Sequence, residues 1–193
     1  MSNCNSWRSL IMRALNHNRA LAYSRYLQLA TIRPDGRPAN RTVVFRGFVN
    51  QTDQLKFITD VRSQKIEHLI YNSWGEACWY FPQTREQFRL LGKLVVVDRN
   101  CEDLAFNQIR QSTWQELSDN ARIQFNWAEP GKMRTEASVF ATELCDQSTP
   151  LDNFSLLLLQ PIEVDVLELR GEPQNRYRYV YLDNGWLREE INP

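Results

Sequence analysis

Tyr26-Leu27-Gln28-Leu29-Ala30-Thr31-Ile32 reads as a strand, Pro34-Asp35-Gly36 as a tight turn, and Asn40 to Phe48 as a second strand. A proline that presets φ, followed by Asp-Gly between two runs of strand-forming residues, is a β-hairpin signal. Leu55 to Thr59 supplies a third strand. The period then changes. Behind Ser63, Ile66, Leu69 and Ile70 fall at i, i+3 and i+4, which predicts a short helix ending near Asn72.

On either side of Pro82-Gln83-Thr84, Ala77 to Phe81 and Gln87 to Val97 are again strand-like. In the longer run Gln87, Arg89, Leu91 and Lys93 share one face, and Phe88, Leu90, Gly92 and Leu94 the other. Upstream, Trp7, Leu10, Ile11, Ala14 and Leu15 recur at helical spacing behind Ser6, a suitable N-cap. The C-terminal part returns to strands at Phe154 to Leu159, Val164 to Leu169 and Arg176 to Leu182, with Asp183-Asn184-Gly185 turning into Trp186 to Ile191. Between these blocks Asp98 to Asn126 is polar with helical spacing, a helical insertion at about 99–127. Thr113 and Glu116 read there as a capping box for a helix carrying Leu117, Ala121 and Phe125. Ala128 to Asn153 lacks a period and reads as loop. Sequential strands on short turns, without a helical crossover after each, predict a mainly β, α+β fold: one domain built as an antiparallel barrel with flanking helices.

At 193 residues, 42% hydrophobic and 24% charged, the chain has the composition of a compact domain, which excludes disorder, collagen and coiled coil. The longest purely aliphatic runs, Leu156 to Leu159 and Leu94 to Val97, fall far short of the roughly 18 residues needed to span a bilayer. Met1 to Arg8 is polar and carries no secretory core, so a cytoplasmic protein without a membrane partner is expected. Cys4, Cys78, Cys101 and Cys145 are too widely spaced for a metal knuckle or redox dithiol and are expected as buried thiols. With only His17 and His68, no metal site or imidazole triad is expected.

The net charge of zero conceals a division. Through Val97 there are fourteen Lys and Arg against six Asp and Glu; from Asp98 onward there are nine against seventeen. Nineteen of the 23 basic residues are arginine, whose rigid fork suits phosphate or carboxylate. Two halves that attract each other within the fold would leave the same division. Asp60-Val61-Arg62-Ser63-Gln64-Lys65 is the best anion site in the chain, because a helix start leaves backbone N–H groups unpaired beside a hydroxyl and two cations. A plain serine cap with exposed cations would share this sequence. Arg41 and Arg46 lie five apart on one strand and point to opposite faces unless the strand bends. No residue stands out as acid, base or nucleophile. Any difficult chemistry is then expected from a phosphate-bearing cofactor.

In order and spacing, Arg41-x-Val43-Val44-x-Arg46, Leu55-Lys56-Phe57-Ile58-Thr59-Asp60, Ser63-Gln64-Lys65, Trp79-Tyr80-Phe81 and Glu86-Gln87-Phe88-Arg89-x-x-Gly92 resemble the pyridoxamine 5′-phosphate oxidase-like FMN-binding proteins. The match covers about residues 26–97 and, loosely, 154–193. The resemblance implies a split β-barrel homodimer with FMN at the subunit interface and a small-molecule substrate. It implies that Arg41, Thr42, Val43, Val44 and Arg46 line FMN, Arg41 near its phosphate and Arg46 where the family has lysine. Ile58 and Thr59 would follow on the neighbouring strand, and Gln64 and Lys65 would hold the phosphate with Ser63 as helper. Gln64 stands where the family has arginine, a charge Arg62 could replace. Gln87 would reach the flavin from the partner subunit, and Arg178 matches the family's late flavin-contacting arginine.

Two departures limit the transfer. The oxidases carry an Arg-x-His substrate motif where Pro173-Gln174-Asn175-Arg176 stands here, and the family's late tryptophan is unmatched among Val166 to Leu169. The expectation is an FMN-dependent oxidoreductase acting on an unidentified small substrate. Pyridoxamine or pyridoxine 5′-phosphate oxidation is the runner-up, and a non-enzymatic flavin or haem carrier the alternative. Six tryptophans and a cationic N-terminal half suggest a single-strand nucleic-acid binder, which the neutral overall charge disfavours.

Overall fold

The structure is a computed structural model that describes residues 6–183 and 185–193, so Cys4 and the Asn184 of the expected hairpin turn lie outside the described residues. The chain opens with helix α1 (Trp7–His17), where Ser6 Oγ accepts from the Ser9 amide at 3.3 Å. β1 (Tyr26–Ile32) and β2 (Pro38–Val44) form the hairpin, followed by β3 (Leu55–Asp60), α2 (Gln64–Tyr71), β4 (Trp74–Phe81) and β5 (Glu86–Val97). α3 (Leu104–Gln115) and the short α4 (Asp119–Arg122) precede β6 (Phe154–Glu168), β7 (Asn175–Leu182) and β8 (Gly185–Ile191).

All strand pairs are antiparallel, in the order β2-β1-β4-β5-β6-β7-β8, with β3 on β6. The ring closes because the chain changes partner at the end of β2. Phe45 N still donates to Arg25 O, whereas Arg46 N donates to Lys56 O and Lys56 N to Gly47 O, each at 2.8 Å. Gly47, at φ 111°, turns the chain in this corner with a backbone that L side chains rarely adopt. The run expected as one strand from Asn40 to Phe48 is therefore a strand to Val44 and then a bend onto β3.

The interior of the barrel holds Leu29, Phe57, Trp79, Phe88 and Leu157, all fully buried, and α1 closes one end with Trp7 and Ile11. A second core lies on the outer side of β3 and β6, where α3 and the segment after it bring Trp114, Leu117 and Phe125 onto Phe154, Leu156 and Leu158. Burial alternates along β5, with Phe88, Leu90, Gly92 and Leu94 inside, as its period of two predicts.

Three expectations are corrected. Phe154 to Leu159 and Val164 to Leu169 belong to one strand, β6, because Pro161 sits where the β5 ladder slips between Leu91 and Gly92, so its missing N–H interrupts nothing. The Thr113–Glu116 capping box does not form. Asp103 caps α3, accepting from Ala105 N at 2.8 Å and Phe106 N at 3.2 Å, while Thr113 lies in the last turn and donates to Ile109 O. Cys78, Cys101 and Cys145 are free and only half-buried. Residues 128–153 contain a single 3-10 turn, Ala137–Phe140, and otherwise run as loop. Among the described residues no helix is long and apolar enough to cross a membrane.

Candidate functional site: a cationic cradle at the start of α2

β3 delivers Ile58, Thr59 and Asp60 to the rim of the barrel, and the chain turns through Val61 and Arg62 into α2. Ser63 occupies the N-cap position, but its hydroxyl donates to Asp60 O at 2.7 Å and caps no amide. The first turn of α2 thus keeps its dipole free of a side-chain acceptor. Lys65 folds back over this turn, donating to Thr59 Oγ1 at 2.9 Å and to Ser63 Oγ at 2.8 Å. Burial and the nearby Arg41 guanidinium push its pKa from 10.5 to about 8, against a smaller opposing pull from Asp60. A half-buried ammonium among hydroxyls and beside a like charge, with one N–H still unused, has the chemistry to take an anion.

These groups open onto a cavity of about 600 Å³ lined on one side by Val44, Arg46, Ile58, Thr59 and Lys65. That volume lies within the roughly 300–1,000 Å³ range of small-molecule sites. Arg46 is exposed at the cavity rim and makes no side-chain hydrogen bond or ion pair among the described residues; partial desolvation and Arg25 lower its pKa. The bend at Gly47 carries it to the cavity, while Arg41 remains on β2 and donates to Leu29 O at 2.9 Å. Burial and Arg33 lower the pKa of Arg41, which bears on Lys65 through its charge.

The other expected residues are more dispersed. Val43 faces the barrel interior and Thr42 is exposed. Ser63 and Gln64 line an adjoining pocket of about 400 Å³, where Gln64 lies 3.7 Å from where a Cβ on Gly131 would stand. Gln87 is half-buried on β5, opposite Tyr80 and Leu167, and Arg178 on β7 is held by Glu189 at 2.6 and 3.1 Å; neither lines the cavity. Arg62 does line it, but its guanidinium grips Asp60 at 2.6–3.1 Å, so it is not a spare phosphate cation.

The opposite wall of the cavity is invisible in the sequence. It consists of the loop 127–135 with Phe140, where Trp127 packs edge-on against Phe140 at 5.9 Å and Arg134 stacks over the same ring at 4.3 Å. No period or motif marks these positions; only the isolated aromatics in a polar loop could have drawn notice.

The phosphate and ring of a flavin nucleotide fit this donor set: a half-buried ammonium and hydroxyls for the dianion, an arginine without a partner among the described residues, and an aromatic wall. Comparison with known proteins agrees. Residues 4–98 match the family model of the pyridoxamine 5′-phosphate oxidase FMN-binding domain. The Arabidopsis thaliana protein called pyridoxine/pyridoxamine 5′-phosphate oxidase 2 is 38% identical over 191 residues, covering 97% of this chain and 96% of its own. A crystal structure of a pyridoxamine 5′-phosphate oxidase-related, FMN-binding protein from Nostoc punctiforme superposes with a TM-score of 0.95 at 52% identity, over the whole of both chains. PhzG from Burkholderia lata, solved with tetrahydrophenazine-1-carboxylic acid, shares the fold alone: its TM-score is 0.78 at 19% identity, over 96% of this chain and 92% of its own. The match along the whole chain, in sequence and in the split-barrel fold, places it in the pyridoxamine 5′-phosphate oxidase family of FMN-binding proteins, with FMN as its cofactor.

Proposed function

We propose that this chain is an FMN-dependent oxidoreductase that works in the cytoplasm as a homodimer on a small substrate. The observation that carries the reading is Lys65, a half-buried ammonium whose hydrogen-bond partners are hydroxyls, at the edge of a cavity of about 600 Å³. FMN, when bound, would supply two-electron redox chemistry between the substrate and dioxygen or another acceptor. The chain binds and orients. Lys65, Ser63, Thr59 and the first-turn amides of α2 hold the phosphate, with Gln64 beside them and Arg41 adding charge from behind. Arg46, Val44 and Ile58 face the remainder of the cofactor, and the Trp127–Phe140 wall keeps water from it. A second copy would supply Gln87 and Arg178, which fits their standing outside the cavity of their own chain. The free thiols of Cys78, Cys101 and Cys145 suit a reducing compartment. Gel filtration with FMN tests the dimer: elution as a monomer removes it.

Binding should depend on pH. The flavin-free fold releases the Lys65 proton near pH 8, whereas a bound phosphate retains it, so FMN affinity is expected to fall as pH rises above about 8, with proton uptake on binding. Stability runs the other way. The unfolded chain keeps this proton up to 10.5 and the folded chain does not, so the flavin-free protein gains stability from this group as pH rises through that window. Melting of the wild type against Lys65→Ala across the window checks the sign; a gap that moves against the wild type contradicts it.

A second reading, oxidation of pyridoxamine or pyridoxine 5′-phosphate, is favoured by similarity to the Arabidopsis protein of that name over 97% of this chain. Against it, Arg176 stands in Pro173-Gln174-Asn175-Arg176 rather than in Arg-x-His, and its guanidinium is committed to the buried Asp165 at 2.8–3.2 Å. Aerobic incubation of the FMN-loaded protein with either phosphate ester decides: formation of pyridoxal 5′-phosphate establishes this reading, and its absence removes it.

A further inference from the structure

Asp60 stands between the cradle and the aromatic wall, and its two oxygens accept five hydrogen bonds. Oδ1 takes Arg62 N at 2.8 Å and Arg62 Nε at 3.0 Å; Oδ2 takes Arg62 Nε at 3.1 Å, the Arg62 terminal nitrogen at 2.6 Å and Asn153 Nδ2 at 2.8 Å. The same two donors continue to a second acceptor. Arg62 reaches Phe125 O at 3.2 Å and Asn153 Nδ2 reaches it at 2.8 Å. Asn153 is itself held by its backbone, whose carbonyl accepts from Val61 N at 2.9 Å. Burial works to raise the Asp60 pKa, but the hydrogen bonds from Arg62 and Asn153 outweigh it and keep the carboxylate ionised.

Asp60, Arg62 and Phe125 all line the cavity, and Asn153 does not. Phe125 O lies two residues before Trp127, where the loop wall begins. The knot therefore spans the mouth from the strand that carries Thr59 to the segment that carries the wall. An unpaired carboxylate at this place would repel a phosphate.

Resting on the FMN reading, we infer that Arg62 and Asn153 are positioning residues of the cofactor cavity. They neutralise Asp60 and hold the Phe125 carbonyl, which fixes the loop wall at a set distance from the Lys65 cradle. Arg62 serves Asp60 and not the phosphate.

The test uses the full chain. Asn153→Ala removes no charge and alters no residue that lines the cavity, so it is expected to weaken FMN and riboflavin alike, each by about tenfold, the effect of losing a hydrogen bond to a charged group. In the flavin-free protein, hydrogen exchange should quicken in amides 125–135 while those of α2 keep their rates. A lower melting temperature with both flavin affinities unchanged would make Asn153 merely structural and overturn the inference. A loss confined to FMN would do so as well, since it would run through the phosphate.

Arg62→Gln tests the other half. It leaves Asp60 charged at the mouth, so the preference for FMN over riboflavin should drop, and the double variant Asp60→Asn with Arg62→Gln should restore that preference. A double variant that stays as unselective as Arg62→Gln would mean that Arg62 grips the phosphate directly. Should the wild type bind no FMN, the cofactor reading fails by itself, and the exchange rates of 125–135 still decide the knot.

Discussion

Replacing Lys65 and Ser63 together by alanine is expected to weaken FMN binding by about a hundredfold or more and riboflavin binding by less than about threefold, since a charge-assisted contact to phosphate contributes about 1.5–3 kcal/mol and riboflavin has none to lose. The ammonium donates to Thr59 and Ser63 and has one N–H left for the ligand. With Lys65 gone, the first turn of α2 keeps its amides but loses the ammonium hydrogen-bonded to Thr59 and Ser63. A defect of folding would act on both flavins, so the ratio of the two dissociation constants isolates the phosphate contact. Lys65→Ala alone serves as a control for folding: the ammonium is a half-buried, partly desolvated charge that the fold holds at a cost, and its removal should leave the flavin-free melting temperature unchanged or higher at neutral pH. Equal losses for both flavins would place the phosphate elsewhere.

Gly92→Ala is expected to be among the most destabilising single-methyl changes in the chain. A Cβ there would overlap the Gln160 carbonyl oxygen and lie 2.7 Å from its carbon and 2.8 Å from Pro161 Cα, all backbone atoms of β6 that cannot rotate aside. The two strands would have to separate at their register shift, at a cost of about 3 kcal/mol, the upper end for overpacking a filled site. For a chain of this length that corresponds to a fall in melting temperature of roughly 6–12 °C. Gly36→Ala is the comparison. Its Cβ would meet nothing within 4 Å, and the cost is only that of a left-handed backbone at φ 79°, about 1–2 kcal/mol. If Gly92→Ala melts no lower than Gly36→Ala, the close approach of β5 and β6 at this point is wrong.

The parts of the fold that could be read from the sequence are those governed by local rules. Ser6 caps α1, the Pro34-Asp35-Gly36 hairpin forms, and the alternation along Glu86–Val97 is the burial pattern of β5. What escaped depends on partners far along the chain. Pro161 looks like a strand breaker until β5 is seen to slip beside it, which lets Phe154–Glu168 run as one strand. Thr113 and Glu116 have the spacing of a helix start, yet Thr113 accepts Lys56 Nζ at 2.9 Å from inside α3, a contact across 57 residues.

The site divides in the same way. Ser63 and Lys65 are legible as a local pattern, a strand-to-helix turn with a hydroxyl and cations, whereas Thr59 comes only from the family resemblance. Arg62 looks equivalent to Lys65 in sequence, and only the folded chain shows its charge spent on Asp60. The bend that separates Arg46 from Arg41 is set by a change of strand partner after Phe45, to a strand ten residues on, which Gly47 permits but does not specify. Trp127, Arg134 and Phe140 come to the cavity from a loop whose course is fixed by Asn153 and Phe125.

The most direct test of the account is a fluorescence titration of FMN with the flavin-free protein. Quenching that saturates at equimolar FMN and chain, and that is lost in Lys65→Ala with Ser63→Ala, is the predicted result. Flavin emission that stays unchanged as wild-type protein is added in excess would contradict it.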